Sequence, residues 1–109
     1  MNSNVPARLI SQLLLEEADL RDLVEEFVSE LPRRLSELRQ AFERLDWSRL
    51  ISLAHQLKGA AGSYGYPDIS AVAAAMESAF RTHHAECFGQ WASELERLTA
   101  AASAGLELS

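Results

Sequence analysis

The sequence lacks several features whose absence narrows the class of protein. Its 109 residues include a single cysteine, Cys87, so an internal disulfide is impossible and a reducing compartment is expected. No apolar run approaches the roughly 20 residues that cross a bilayer, and the N-terminus has no signal-peptide pattern. We therefore expect a cytoplasmic protein that does not enter a membrane, with Cys87 serving as a small packing residue.

The sequence also has few basic residues and no recognisable phosphate-binding loop. Ten Lys and Arg stand against sixteen Asp and Glu, which gives a formal net charge of -6 and a pI near 5.0. Nucleic-acid binding needs basic patches, so that class is excluded. No glycine-rich loop that could cradle a nucleotide is visible, and the chain is not expected to take phosphate from ATP unaided. His83 and His84 are adjacent without a second ligand pair, so no metal site is predicted.

What the sequence does have is apolar residues at helical spacing along its whole length. With 48% hydrophobic residues, a chain of this size can bury one core, which predicts a single domain over residues 1–109. Pro32 interrupts the longest stripe, and we expect a kink there because the apolar register continues unchanged across the proline. The members of that stripe are Leu20, Val24, Phe27, Leu31, Leu35, Leu38, Phe42 and Leu45.

The remaining helices follow from similar stripes and from their start signals. A short N-terminal helix is predicted over about 5–15, and Asp46 is the predicted N-cap of a central helix over 47–64. Pro67 lies in the first turn of the next helix, where proline is tolerated. The last helix is expected to fray through Ala104-Gly105. The predicted fold is all-α, an antiparallel four-helix bundle over residues 17–104 preceded by the short helix.

The central helix carries an unusual outward face. At about 100° per residue its buried stripe lies opposite His55, and the outward face also holds Ile51, Lys58, Gly59 and Gly62. Each interior glycine costs about 1 kcal/mol relative to alanine, so we infer that something large must approach His55 closely. The members of the buried stripe are Leu50, Leu53, Leu57, Ala61 and Tyr64.

These residue types at this spacing favour phosphoryl chemistry over a merely solvated histidine. Imidazole has an unprotonated nucleophilic nitrogen near neutral pH, since its unperturbed pKa is about 6.5. Lys58, one helical turn after His55, can place its ammonium beside phosphoryl oxygens. Glycine at the following position, Gly59, removes a side chain that would obstruct a docking partner.

The same stretch resembles the signature of histidine-containing phosphotransfer (HPt) domains. The resemblance implies a four-helix bundle in which His55 is phosphorylated and Lys58 stabilises the phosphoryl charge. It further implies that Gly59 and Gly62 keep the face open, and that Glu77 can hydrogen-bond the histidine from the next helix. The matching residues are Ala54, His55, Leu57, Lys58, Gly59, Ala61 and Gly65.

The resemblance also implies the partners, which are receiver domains of response regulators or hybrid histidine kinases. The chain would be a monomeric phosphoryl carrier without a cofactor, and Mg²⁺ would reside on the partner receiver. Its docking surface is expected to include Leu9, Ile10 and Leu13 together with Ile51. The alternative is a pseudo-HPt module that binds a receiver without transferring phosphate. The sequence leaves open the kinase and regulator served, the direction of flow and whether the domain belongs to a hybrid kinase.

Overall fold

A computed structural model describes residues 8–108, and in this range every regular element is a helix. The prediction of an all-α bundle with a short N-terminal helix is confirmed. No helix in the described range is both long and apolar enough to cross a membrane. The elements in chain order are α1 (Gln12–Glu16), a 3-10 turn (Ala18–Leu20), α2 (Arg21–Glu43), α3 (Trp47–Ser63), α4 (Pro67–Arg81) and α5 (Phe88–Leu108).

The long helix α2 supplies one wall of the core. Its apolar stripe is buried from Val24 to Leu38, and the helix runs through Pro32 without ending. Leu45, predicted to belong to this stripe, is instead 54% exposed. The reason is its backbone, since a φ of 48° at Leu45 turns the chain out of the helix and directs the side chain into solvent.

The start signals of α3 and α4 act as predicted. The Asp46 side chain accepts a hydrogen bond from the backbone N–H of Arg49 at 3.1 Å, so Asp46 is the N-cap of α3. Pro67 lies in the first turn of α4. Between the two helices Gly65 has a φ of 86°, a left-handed conformation that favours glycine. This tight turn sets α3 and α4 side by side.

The N-terminal segment differs from its predicted form. Residues 8–11 are not helical and α1 begins only at Gln12, while residues 5–7 lie outside the described part of the chain. Leu9 is 9% exposed, and its backbone N–H donates to the Ala101 carbonyl at 2.8 Å. Ser11 caps α1 and donates to the Tyr64 carbonyl at 2.6 Å. Because it makes these contacts, the segment binds the ends of α3 and α5 in an extended form.

The C-terminal end of α5 does not fray where the sequence predicted. The helix continues to Leu108, and Gly105 is buried. A side chain at Gly105 would collide with the carbonyl group of Leu9. Glycine at this position therefore lets the N-terminal segment cross directly over the helix backbone.

The turn between α4 and α5 holds His83, His84 and Cys87. Cys87 is exposed, so the expectation that it packs internally is wrong. The His83 ring stacks on Trp47 with centroids 4.8 Å apart, and His84 Nδ1 lies 2.8 Å from Thr82 Oγ1. Among residues 8–108 no cluster of His, Cys, Asp and Glu has the arrangement of a metal site.

Candidate functional site

Helix α3 places His55 on its outward face. The preceding residue, Ala54, is fully buried, as is Leu50 one turn earlier, whereas the His55 side chain is 63% exposed. The apolar stripe that anchors α3 thus forces His55 to the opposite side, as the periodicity predicted. The histidine is accessible from solvent while its helix is fixed in the core.

Helix α4 brings a buried carboxylate to the histidine. Glu77 is 5% exposed, and its Oε2 lies 3.0 Å from His55 Nδ1. A buried carboxylate is costly unless it is paired, and three side chains pair with this one. Lys58 Nζ lies 2.8 Å from Oε1, and Arg81 Nη2 lies 2.7 Å from Oε2. The contact between His55 and Glu77 that the family resemblance implied is present.

The charge around Glu77 keeps its carboxylate ionised. Hydrogen bonds from Lys58 and then from Arg81 lower the Glu77 pKa from 4.5 to about 2, against the opposing effect of burial. The hydrogen bond from His55 lowers it further. Glu77 therefore carries a negative charge throughout the physiological pH range.

An ionised Glu77 selects the tautomer of His55. A carboxylate can only accept hydrogen bonds, so His55 Nδ1 must carry the proton in the 3.0 Å contact. In a neutral imidazole the lone pair then resides on Nε2. The geometry therefore gives an exposed ring whose nucleophilic atom is Nε2.

Lys58 lies one turn after His55 and is already engaged. Its side chain is 39% exposed and its ammonium pairs with Glu77 Oε1. The backbone carbonyl of Lys58 accepts a hydrogen bond from Ser70 Oγ at 2.9 Å, which links α3 to α4 at this level. Lys58 is thus a member of the same charged group as His55, and it reaches that group through Glu77.

The two glycines beside His55 have no packing reason to be glycine. A Cβ added at Gly59 would meet nothing within 4 Å, and one at Gly62 would be in ordinary contact with Ser70 Oγ at 3.6 Å. Both positions are exposed. The glycines therefore leave a low, open surface next to the histidine, which supports the interpretation made from the sequence.

The predicted docking surface is only partly accessible. Leu9 is buried against α5, so the prediction that it belongs to the docking surface is wrong. Leu13 and Ile51 are half-buried, and Ile10 is 43% exposed. Whether Leu13, Ile10 and Ile51 contact a partner remains a prediction.

Sequence reasoning missed Arg81. Glu77 and Arg81 stand four residues apart in α4, the spacing at which side chains of opposite charge meet on a helix. That spacing was a visible signal. Its importance depends on Glu77 being buried beside His55, and this burial follows from the alignment of α3 with α4.

The structure thus presents a helical bundle with a hydrogen-bonded histidine on an open helix face. The model of the Hpt domain matches residues 22–105, and the chain therefore belongs to the HPt domain family. It is a phosphotransfer-type module of two-component systems, a class of phosphocarriers and not of catalytic enzymes. No curated protein and no solved structure matches the chain significantly.

Proposed function

We propose that this chain carries a phosphoryl group on His55 Nε2 between the aspartates of receiver domains. The observation that supports this most directly is the 3.0 Å contact between His55 Nδ1 and Glu77 Oε2. The contact holds Nδ1 against Glu77 and leaves Nε2 as the nucleophile of a side chain that is 63% exposed. The family to which the chain belongs supplies the class of partner.

The proposed transfer needs no proton movement within this chain. The Nε2 lone pair forms a bond to the phosphorus of a receiver aspartyl phosphate, and the bond from phosphorus to the aspartate oxygen breaks. The electron pair of that bond stays on the aspartate as a carboxylate. His55 retains its Nδ1 proton and becomes a phosphorylated imidazolium, whose positive charge Glu77 stabilises. Transfer onward reverses these steps, and positioning and charge supply the catalysis.

Lys58 is proposed to stabilise the phosphoryl oxygens during transfer. Its side chain is partly exposed, so its ammonium can turn from Glu77 Oε1 toward Nε2 without leaving a core position. Glu77 would keep Arg81 and His55 as partners on Oε2 while Lys58 moves. The Mg²⁺ that neutralises the aspartyl phosphate is expected on the receiver.

The competing function is a module that binds a receiver without accepting phosphate. Such a module has no need for a fixed imidazole tautomer or for an exposed Nε2. The pairing of His55 with the ionised Glu77 favours transfer, whereas the open surface at Gly59 and Gly62 would serve either function.

A labelling experiment separates these functions. The purified chain is incubated with labelled ATP and Mg²⁺ alone, and then with a phosphorylated receiver domain from the same cell. We expect no label from ATP, and one acid-labile, relatively base-stable label from the receiver. His55→Gln should remove the label, while the control variant His84→Gln, at another exposed histidine, should retain it.

Two outcomes would contradict the proposal. Labelling by ATP alone would make the chain a kinase. Binding to receivers that never label His55 would leave the interaction module as the function.

A further inference from the structure

His55 and Arg81 share one oxygen of Glu77. The distance from Glu77 Oε2 to His55 Nδ1 is 3.0 Å, and that to Arg81 Nη2 is 2.7 Å. Lys58 Nζ contacts the other oxygen, Oε1, at 2.8 Å. Within the described residues, Lys58 of α3 and Arg81 of α4 are the cationic side chains that contact Glu77 besides the histidine. Oε2 therefore accepts hydrogen bonds from both His55 and Arg81, and the bond from Arg81 makes it a weaker acceptor for His55.

We propose that Arg81 is a positioning residue that lengthens the lifetime of phosphorylated His55 by weakening the hold of Glu77 on the Nδ1 proton. This inference rests on the proposed function, because it concerns the phosphorylated state of His55. It assigns to Arg81 an effect that acts through Glu77 and not by contact with the phosphoryl group.

The chemical reason is the leaving group. When water attacks the phosphorus, an O–P bond forms and the bond from phosphorus to Nε2 breaks, with its electron pair returning to the ring. If Nδ1 is protonated, the ring leaves as neutral imidazole, and the proton released by water remains with the phosphate and solvent. If Nδ1 is deprotonated, the ring must leave as an anion. The rate of loss therefore follows the fraction of phosphorylated His55 that keeps its Nδ1 proton.

Glu77 and Arg81 act on that proton with opposite signs. A neighbouring anion favours the protonated imidazolium, so Glu77 raises the pKa of Nδ1 in phosphorylated His55. Arg81 neutralises part of that anion and repels the imidazolium, so it lowers the same pKa. Lys58 is also positively charged and changes this pKa in the same direction as Arg81, but under the proposed function it also contacts the phosphoryl group. Arg81 is therefore the cleaner position at which to test the effect.

A purely structural role for Arg81 makes the opposite prediction. If the guanidinium served only to hold Glu77 in place, its removal would release Glu77 from His55. The Nδ1 pKa would then fall, as it does when Glu77 itself is replaced. The direction of the change distinguishes the two roles.

The test uses phosphoramidate, a small phosphoryl donor, so that no receiver is needed. Attack by His55 Nε2 forms the N–P bond while the P–N bond of the reagent breaks and its electron pair leaves with ammonia. The decay of phosphorylated His55 is followed by ³¹P NMR over a range of pH, and the Nδ1 pKa is read from ¹⁵N shifts. The proteins compared are the natural chain, Arg81→Gln, Arg81→Lys, Glu77→Gln and the double variant.

Arg81→Gln should shorten the lifetime of phosphorylated His55 above the midpoint by about threefold or more, because a larger fraction of it then keeps the Nδ1 proton. Glu77→Gln should lower the pKa and lengthen the lifetime. In the double variant the Arg81 effect should shrink, since its route through Glu77 is gone. Arg81→Lys, which keeps the positive charge, should lie close to the natural chain. Arg33→Gln is the matched control, because Arg33 pairs with Glu37 at the same i,i+4 spacing on the exposed surface of α2.

The outcomes for the two proposals can be told apart. If phosphoramidate labels a residue other than His55, the proposed function fails. The role assigned to Arg81 is overturned if His55 is labelled but its phosphorylated form has the same lifetime in Arg81→Gln as in the natural chain. A longer lifetime in Arg81→Gln, as expected for Glu77→Gln, would overturn it as well. Arg81 is 58% exposed, so the variant is expected to fold, and circular dichroism at each pH checks this.

Discussion

At the level of single residues, the site depends on a carboxylate that is both buried and ionised. Glu77 has little contact with water, yet Lys58 and Arg81 hold its pKa at about 2. Because the carboxylate stays charged, it orients His55 through Nδ1 and leaves the lone pair of the neutral ring on Nε2. A neutral Glu77 could offer a proton to Nδ1 instead, and the tautomer would no longer be fixed.

The lowered pKa of Glu77 predicts how stability responds to acid. The folded pKa is below the ordinary value of 4.5, so this group stabilises the fold above that pH. Its contribution is lost as pH falls from 4.5 toward about 2. We expect the free energy of unfolding of Glu77→Gln, measured by denaturant titration, to decline less steeply over this interval than that of the natural chain.

The control for this prediction is Glu96→Gln, since Glu96 pairs with Arg39 at the exposed surface. The Glu96 variant should decline in parallel with the natural chain. A Glu77 variant that also declines in parallel would mean that Glu77 is not held ionised in the fold.

A second prediction at this scale separates the chemistry of His55 from stability. His55→Gln should lose phosphoryl acceptance, because an amide has no comparable nucleophile, while its free energy of unfolding changes by about 0.5 kcal/mol or less. The Gln amide can still donate to Glu77, which limits the cost. Thermal unfolding and labelling are measured on the same sample, and a variant that unfolds would show that His55 has a structural role.

The residues of the site differ in how far the sequence predicts them. His55, Lys58 and Gly59 belong to one helix, and helical periodicity alone places them on one face. Glu77 requires the alignment of two helices, so its contact came only from the family resemblance. Arg81 acquires its role from the burial of Glu77, a property of packing that residue spacing does not contain.

At the level of helices, α3 and the turn that follows it use glycine for two different reasons. Gly59 lies in the helix with open space beside it, while Gly65 ends the connection with a φ of 86° beneath α1. A side chain at Gly65 would collide with the backbone N–H of Leu13. One glycine leaves open space on the helix surface, and the other leaves room for the chain itself.

This contrast predicts opposite effects of one substitution. Gly59→Ala should raise the free energy of unfolding by up to about 1 kcal/mol, because it removes the helix penalty and meets no neighbour. Gly65→Ala should lower it by about 1 kcal/mol or more, because the left-handed conformation and the collision both oppose a side chain. Chemical denaturation of both variants gives the comparison.

The larger variant Gly59→Gln tests the functional half of the same argument. It should keep or improve stability and yet slow transfer from a phosphorylated receiver, because the side chain obstructs close approach to His55. Phosphoramidate, being small, should still label this variant at a near-normal rate. Slow labelling by both donors would indicate damage to His55 itself and not obstruction.

The helix boundaries explain which element predictions failed. Asp46 and Pro67 carry local signals that act within one turn, and both were predicted correctly. Leu45 continued the apolar spacing of α2, but its positive φ is imposed by the turn into α3. Gly105 suggested a fraying end, and only the crossing of Leu9 over α5 shows why a glycine is needed there.

At the level of the whole molecule, the N-terminal segment joins helices that are far apart in sequence. Leu9 bonds to Ala101 on α5, while Gln12 donates its backbone N–H to the Gly65 carbonyl at 2.8 Å. The segment therefore closes one end of the bundle and holds α5 against the turn that follows α3.

This closure predicts that a leucine outside the four long helices contributes to global stability. Leu9→Ala should lower the free energy of unfolding by about 2 kcal/mol, because a buried leucine side chain is lost at the junction with α5. Leu15→Ala is the matched control, since Leu15 is 74% exposed on the same segment, and its effect should be near zero. Equal effects of the two variants would show that the segment does not contribute to the core.

Under the proposed function, the single open face at His55 has a kinetic consequence. A phosphorylated donor and an unphosphorylated acceptor must both reach Nε2 over Gly59 and Gly62, so they cannot be bound there at the same time. The exchange is then ping-pong, with free phosphorylated protein between the two halves of each cycle. A large excess of either receiver in its unphosphorylated form would occupy this face and lower the rate of phosphoryl transfer between the receivers. The relative abundance of the partners would in this way limit how fast a signal passes.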